Sequence, residues 1–160
     1  MTPEAPASVR AAAAKNLATF AILLDLQGKF ADSESQHIQV VQMREASLGH
    51  THDETLKAVE NLGHNYRNQK KYPRAISTYQ EALERRLKGP ERRLSQVMST
   101  ASKLAEVFEK IGKRAEAEKI RAYWRRQAAL RGCWLDPESN LAHELQPITP
   151  KTKFGTQKRC

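Results

Sequence analysis

Leu48-Gly49-His50-Thr51-His52-Asp53-Glu54-Thr55-Leu56 runs directly into Lys57-Ala58-Val59-Glu60-Asn61-Leu62-Gly63-His64-Asn65-Tyr66-Arg67. In this stretch Leu56, Val59, Leu62, Gly63 and Tyr66 keep the three-or-four spacing of one helical face. The next segment repeats the pattern with Ala75, Ile76, Tyr79, Ala82, Leu83 and Leu87. No segment alternates apolar and polar residues long enough to compete as a strand. Low aromatic content, 6%, argues the same way. The sequence therefore predicts an all-α fold.

Sliding the chain over itself by 42 residues brings three segments into register. Gln27-Gly28-Lys29-Phe30 falls on Gln69-Lys70-Lys71-Tyr72 and then on Ile111-Gly112-Lys113-Arg114. Ahead of this turn Phe20, Leu62 and Leu104 align, as do Leu24, Tyr66 and Phe108. Behind it Ser33, Ala75 and Ala117 share one small-residue position. Each unit reads as helix A, a tight turn and helix B, with the small residue letting the two helices approach. One such pair cannot bury both faces, so successive pairs stack into an α-solenoid.

The large-small-aromatic pattern of Leu62-Gly63, Tyr66, Ala75, Tyr79 and Ala82 resembles the tetratricopeptide repeat, with a period of 42 where 34 is usual. The Leu48–Leu56 linker, followed by Asn61-Leu62 and Tyr66, is similar to the kinesin-light-chain subtype of that family. The resemblance covers about residues 10–130 and is strongest in the middle repeat. The first repeat has Thr19 where Asn is expected. The third has Arg114 at the aromatic turn position and lacks the Leu-Gly-x-x-His linker. Such departures are expected of terminal repeats that must be solvated on one side.

The predicted organisation is a disordered N-terminus over 1–9 and a solenoid over 10–146. Its repeats cover about 10–50, 51–92 and 93–131. Asp136-Pro137 starts a C-terminal capping helix over 136–146, with Asp as N-cap and Pro at the first helical position. Leu141 and Leu145 lie one turn apart on it, and Cys133-Trp134-Leu135 docks nearby. Residues 147–160 read as a disordered basic tail with nothing to bury. The chain has 160 residues, enough for a core that needs neither disulfide nor metal. Two cysteines, Cys133 and Cys160, exclude a disulfide framework and suit a reducing, cytoplasmic setting. No apolar run approaches the ~20 residues of a membrane span, and no basic segment precedes an apolar one as in a secretory signal.

Charge is uneven. Residues 1–56 carry four Lys/Arg against seven Asp/Glu, and residues 57–160 carry twenty-three against eleven, giving the net +9. The basic series Arg114, Lys119, Arg121, Arg125, Arg126 and Arg131 is the clearest footprint of an anionic partner. Its plainer reading is that Ile120, Tyr123, Trp124 and Ala128 form a packed stripe which the arginines solvate. His50, His52 and Asp53 lie close together, but without a cysteine or a second His pair they do not make a zinc set. Arg131 near Cys133 could lower a thiol pKa, though Trp134 beside it favours a packing role. No phosphate loop, nucleophile-base order or paired-carboxylate motif is present. No cofactor and no catalysis are expected.

The resemblance implies a concave groove lined by the A helices, which takes an extended peptide or a partner helix. The groove positions it implies in repeat two are Lys57, Glu60, Asn61, His64, Arg67 and Asn68. In repeat three they are Ser99, Ser102, Lys103, Glu106, Glu109 and Lys110. In repeat one they are Lys15, Ala18, Thr19, Ile22, Asp25 and Leu26. An amide such as Asn61 satisfies both a donor and an acceptor of a peptide backbone, and Arg67 suits a carboxylate. The Lys/Asn clamp with which chaperone-binding members hold a terminal carboxylate is absent from these positions. The expected function is a non-catalytic protein-interaction module. The alternative is binding of nucleic acid or an anionic surface through the basic C-terminal third. The chain also suits the end of a longer repeat array.

Overall fold

A computed structural model describes residues 6–89 and 94–129. Among them are six helices and no strand. They are α1 (Ala7–Leu26), α2 (Phe30–Leu48), α3 (Asp53–Asn68), α4 (Tyr72–Lys88), α5 (Leu94–Lys110) and α6 (Arg114–Ala129). Each packs against its neighbours along the chain, giving an all-α solenoid of three helix pairs. The expected capping helix at 136–146, the tail at 147–160, Cys133, Trp134 and Arg131 lie outside the described residues.

Within each pair the turn has one design. Gly28, Lys70 and Gly112, spaced by 42, all have positive φ, at 75°, 60° and 81°. After each, a backbone N–H closes on the carbonyl five residues back: Lys29 on Leu24, Lys71 on Tyr66 and Lys113 on Phe108, each at 2.9 Å. This is the Schellman stop, in which a left-handed residue lets the chain cap the last carbonyls of helix A. Helix B starts at once, with Pro73 in the first turn of α4. Between pairs, Gly49 (φ 89°) ends α2, and the His52 ring accepts the Glu54 N–H at 3.2 Å to cap α3.

The shared small position is fully covered in all three pairs: Ser33, Ala75 and Ala117 are each 0% exposed. Gly63 serves a second close approach, since a Cβ there would stand 3.0 Å from Cε1 of the buried Tyr79. The main apolar core joins α3 to α6 through Tyr66, Tyr79, Leu83, Val97, Leu104, Val107, Ile120 and Trp124. The first pair docks through a smaller cluster, Ala18 and Val40 against Ala58, with Leu17 and Val41 beside it.

Two expectations need correction. Helix α1 begins at Ala7, so a disordered stretch over 1–9 runs too far: the Pro6 carbonyl accepts the N–H groups of Val9 and Arg10, and the alanine run carries the helix from there. The outer side of the first pair is also apolar, not polar as expected of a terminal unit that faces solvent. Val9, Phe20 and Leu23 on α1 are 50–54% exposed.

Candidate functional site

Residues 42 apart on α1, α3 and α5 form rows across the A helices. Two ion pairs show α3 and α5 side by side along these rows. Arg67 donates to Glu106 at 2.6 Å, and Lys103 pairs with Glu60. Lys57 and His64 are exposed, while Asn61, Arg67, Asn68, Lys103 and Glu106 are partly covered. Ile22 and Leu26 on α1 are 43% and 79% exposed.

The partners of these side chains differentiate them. Lys57 bridges Glu54 and Asp53 within the first turns of its own helix, at 2.8 and 3.1 Å. Asn68 donates to His64 Nδ1 at 3.2 Å. Desolvation by the side chains around the ring and the nearby Arg67 charge hold the His64 pKa below the usual histidine value, so its imidazole is neutral at pH 7. The Asn61 amide has no hydrogen-bond partner among the described residues.

Glu60 sits elsewhere than the groove reading supposes. It is 6% exposed and lies between helices. Arg86, itself 6% exposed, donates to Glu60 Oε1 through Nε at 3.0 Å and a terminal nitrogen at 2.8 Å. Thr100 donates to the same oxygen at 2.6 Å. Arg86 also reaches Asp53 and Gln96, at 2.9 Å each. Burial alone would raise the Glu60 pKa, but the bonds from Lys103, Thr100 and Arg86 outweigh it and hold the carboxyl below its ordinary value. Glu60 thus tethers α3 to α4 and α5 and positions Lys103. Its buried state was hidden because its partners lie 26–43 residues away. Arg86 did leave a signal: Arg44 stands 42 residues before it and reaches forward to the next A helix, donating to the Glu54 carbonyl of α3 at 2.7 Å as Arg86 donates to Gln96 of α5.

Asp25 holds a second buried polar cluster, at the joint of the first and second pairs. It accepts from Ser33 and, at 2.8 Å each, contacts His37 Nε2 and the Asn65 amide. Burial raises its pKa, and the bonds from Ser33, His37 and Asn65 together bring it below the ordinary value. Ser33 bonds the carboxylate rather than the histidine, so the trio does not align as nucleophile, base and orienter.

The clustered histidines of the linker separate in space: His50 pairs with Glu45 at 3.1 Å, His52 caps α3 and Asp53 serves Arg86. Among the described residues no group of three or more His, Cys, Asp and Glu converges on one point. On α6, Ile120 and Trp124 are 3% exposed and form the packed stripe. Of the basic series, Arg121 pairs with Glu109 and Arg125 with Glu118 at 3.1 Å. Arg114, Lys119 and Arg126 are exposed. No described helix is long and apolar enough to cross a membrane.

A family model for the tetratricopeptide repeat matches residues 10–88, the stretch holding the first two pairs and the linker between them. This chain is a tetratricopeptide repeat protein. Among solved structures, BtubC (BKLC) from P. vanneervenii matches it with a TM-score of 0.66 at 21% sequence identity. The match covers 74% of this chain and 48% of that one, so the chain spans about half the length of that relative. At this identity the likeness carries the fold. Among curated proteins nothing matches. Tetratricopeptide arrays are scaffolds for protein interaction, and the third pair, beyond residue 88, extends the same turn and small-residue design.

Proposed function

We propose that the concave side formed by α1, α3 and α5 binds an extended peptide or a partner helix, and that the chain acts by binding rather than catalysis. The observation that carries this is the unpartnered Asn61 amide, midway along the A-helix rows. A bound backbone supplies the donor and the acceptor which that amide lacks. Around it stand a neutral His64, the Arg67–Glu106 pair, Lys103 held by Glu60, and the exposed Ile22 and Leu26. Lys57 and Asn68 border this set. Three repeats make a short groove, so affinity for a linear peptide is expected on the order of micromolar. We also place the chain in the cytoplasm.

The rival reading, an anionic partner on Arg114, Lys119, Arg121, Arg125, Arg126 and Arg131, is weakened where Arg121 and Arg125 already hold carboxylates. The test selects linear peptides from a random library displayed on phage, then titrates one selected peptide and a short DNA duplex against the full chain. Asn61→Ala should weaken the peptide at least about fivefold with helical content unchanged. Arg121→Glu/Arg125→Glu should leave it alone. Arg67→Glu is the poorer probe, since it sets two carboxylates face to face at Glu106. For DNA, the logarithm of affinity would fall by ~0.9 per neutralised phosphate with the logarithm of salt. Tight duplex binding lost on Arg121→Glu/Arg125→Glu, with selected peptides indifferent to Asn61, would overturn the groove.

A further inference from the structure

The outer face of α1 matches, position for position, surfaces that are buried elsewhere in the array. At the 42-residue spacing, Ala13, Asn16, Phe20 and Leu23 correspond to Thr55, Ala58, Leu62 and Asn65 on α3, and to Val97, Thr100, Leu104 and Val107 on α5. On α3 and α5 this face meets the preceding pair. Asn65 reaches Asp25 and Ser33, Ala58 packs on Ala18 and Val40, and Thr100 reaches Glu60 and Arg86. All but Leu62 are at most 1% exposed. On α1 the four are exposed, Phe20 at 51% and Leu23 at 50%.

Charge selects what covers it. Between Ala12 and Leu23 this side of α1 carries Ala13, Asn16, Phe20 and Leu23, with no ionisable group; the exposed Lys15 falls with Thr19 on the groove side. Among the described residues, α6 at the other end of the array offers no apolar complement at the matching positions. There the buried Tyr79 and Leu83 of α4 correspond to Arg121 and Arg125 of α6. Stacking one copy's α1 on another's α6 would set the Arg121–Glu109 and Arg125–Glu118 ion pairs against Phe20 and Leu23 and desolvate them for no new partner. A two-fold contact of α1 with α1 sets uncharged against uncharged, as a self-complementary interface requires. We propose that this face binds a second copy of the chain, α1 against α1, continuing the helix-on-helix packing inside the array. The outer side of α1 is separate from the Asn61 groove, so the two can fail independently.

One helix face buries less than the ~1,200–2,000 Å² of stable complexes, which sets self-association at about tens of micromolar. The test is sedimentation velocity of the full chain from about 5 to about 200 µM, a range bracketing that affinity. A monomer–dimer shift is expected, little changed by salt, because no charge takes part. Phe20→Glu/Leu23→Glu should weaken dimerisation at least about tenfold with the helical spectrum intact, and Arg121→Glu/Arg125→Glu should leave it unchanged. With Cys133 and Cys160 replaced by serine, Asn16→Cys should cross-link two copies through a short bifunctional maleimide. A chain that stays monomeric throughout overturns the proposal and assigns the face to a segment in cis or to a foreign partner. A dimer that survives the Phe20/Leu23 change overturns it equally.

Discussion

At the scale of single residues, the turns and the close approaches carry the most testable strain. Lys70 occupies the left-handed position that glycine holds in the other two turns. A side chain there costs about 1–2 kcal/mol, against the ~0.5–1 kcal/mol of extra unfolded-chain freedom that glycine brings. Lys70→Gly should therefore raise stability by up to about 1 kcal/mol, read as a higher denaturant midpoint at unchanged slope. Gly63→Ala should act in the opposite sense. Its methyl meets the ring of Tyr79, which is 0% exposed, and overpacking of this kind costs ~1–3 kcal/mol. A Gly63→Ala variant as stable as the parent would show that Tyr79 has room to yield. Much at this scale was legible. The 42-residue alignment alone located the small position at Ser33, Ala75 and Ala117 and the turn residues at 28, 70 and 112. What it could not supply was the burial of Glu60, which sits beside Asn61 on the same helix. Only Arg86 on the following helix and Lys103 on the next A helix separate a tether from an open wall.

At the scale of helices, the two joints between pairs are built differently. Tyr66, Tyr79, Leu83, Val97, Leu104 and Val107 bind the second pair to the third through a broad apolar core. The first pair leans on the small Ala18–Val40–Ala58 cluster and on Asp25, with Glu34 adding ion pairs to Lys71 at 2.7 Å and Arg74 at 3.3 Å. Burial raises the pKa of Asp25 and Glu34, and their hydrogen bonds and neighbouring charges together outweigh it, leaving a net value below the ordinary one. A carboxylate lowered on folding contributes stability that is complete above its unfolded pKa, about 4. That contribution is lost as pH falls through the folded value. Glu60 at the other joint is lowered likewise, but the broad apolar core remains there when its carboxyl protonates. Acidification below about pH 4 should thus loosen α1 and α2 before α4 and α5. Amide exchange should show smaller protection factors over Ser33–Val40 than over Tyr79–Leu83, with the gap widening in acid. Uniform loss of protection along the chain would mean that both joints open as one. The asymmetry was not legible beforehand, because helical periodicity marks which residues face inward and says nothing of whether they meet carbon or a carboxylate.

At the scale of the whole molecule, both the fold and its unfinished edge follow from the repeat. The period located the helix pairs. Terminal units were expected to be polar outside, and α1 departs from that rule because Phe20 and Leu23 keep the character of an internal repeat. Polar ties run between pairs as well: Asp25 to Asn65, Glu45 to Arg85 at 2.6 Å, Arg67 to Glu106 and Lys103 to Glu60. The Asp25–Asn65 tie has a consequence for how such a chain can change over generations. Unequal recombination between similar repeats removes one period in frame and leaves every Schellman turn intact. Losing the middle unit here would seat Asp25 opposite Val107, the residue that stands where Asn65 does. A carboxylate would then be entombed without its amide, so the order of the units is inherited as a matched set rather than as interchangeable copies.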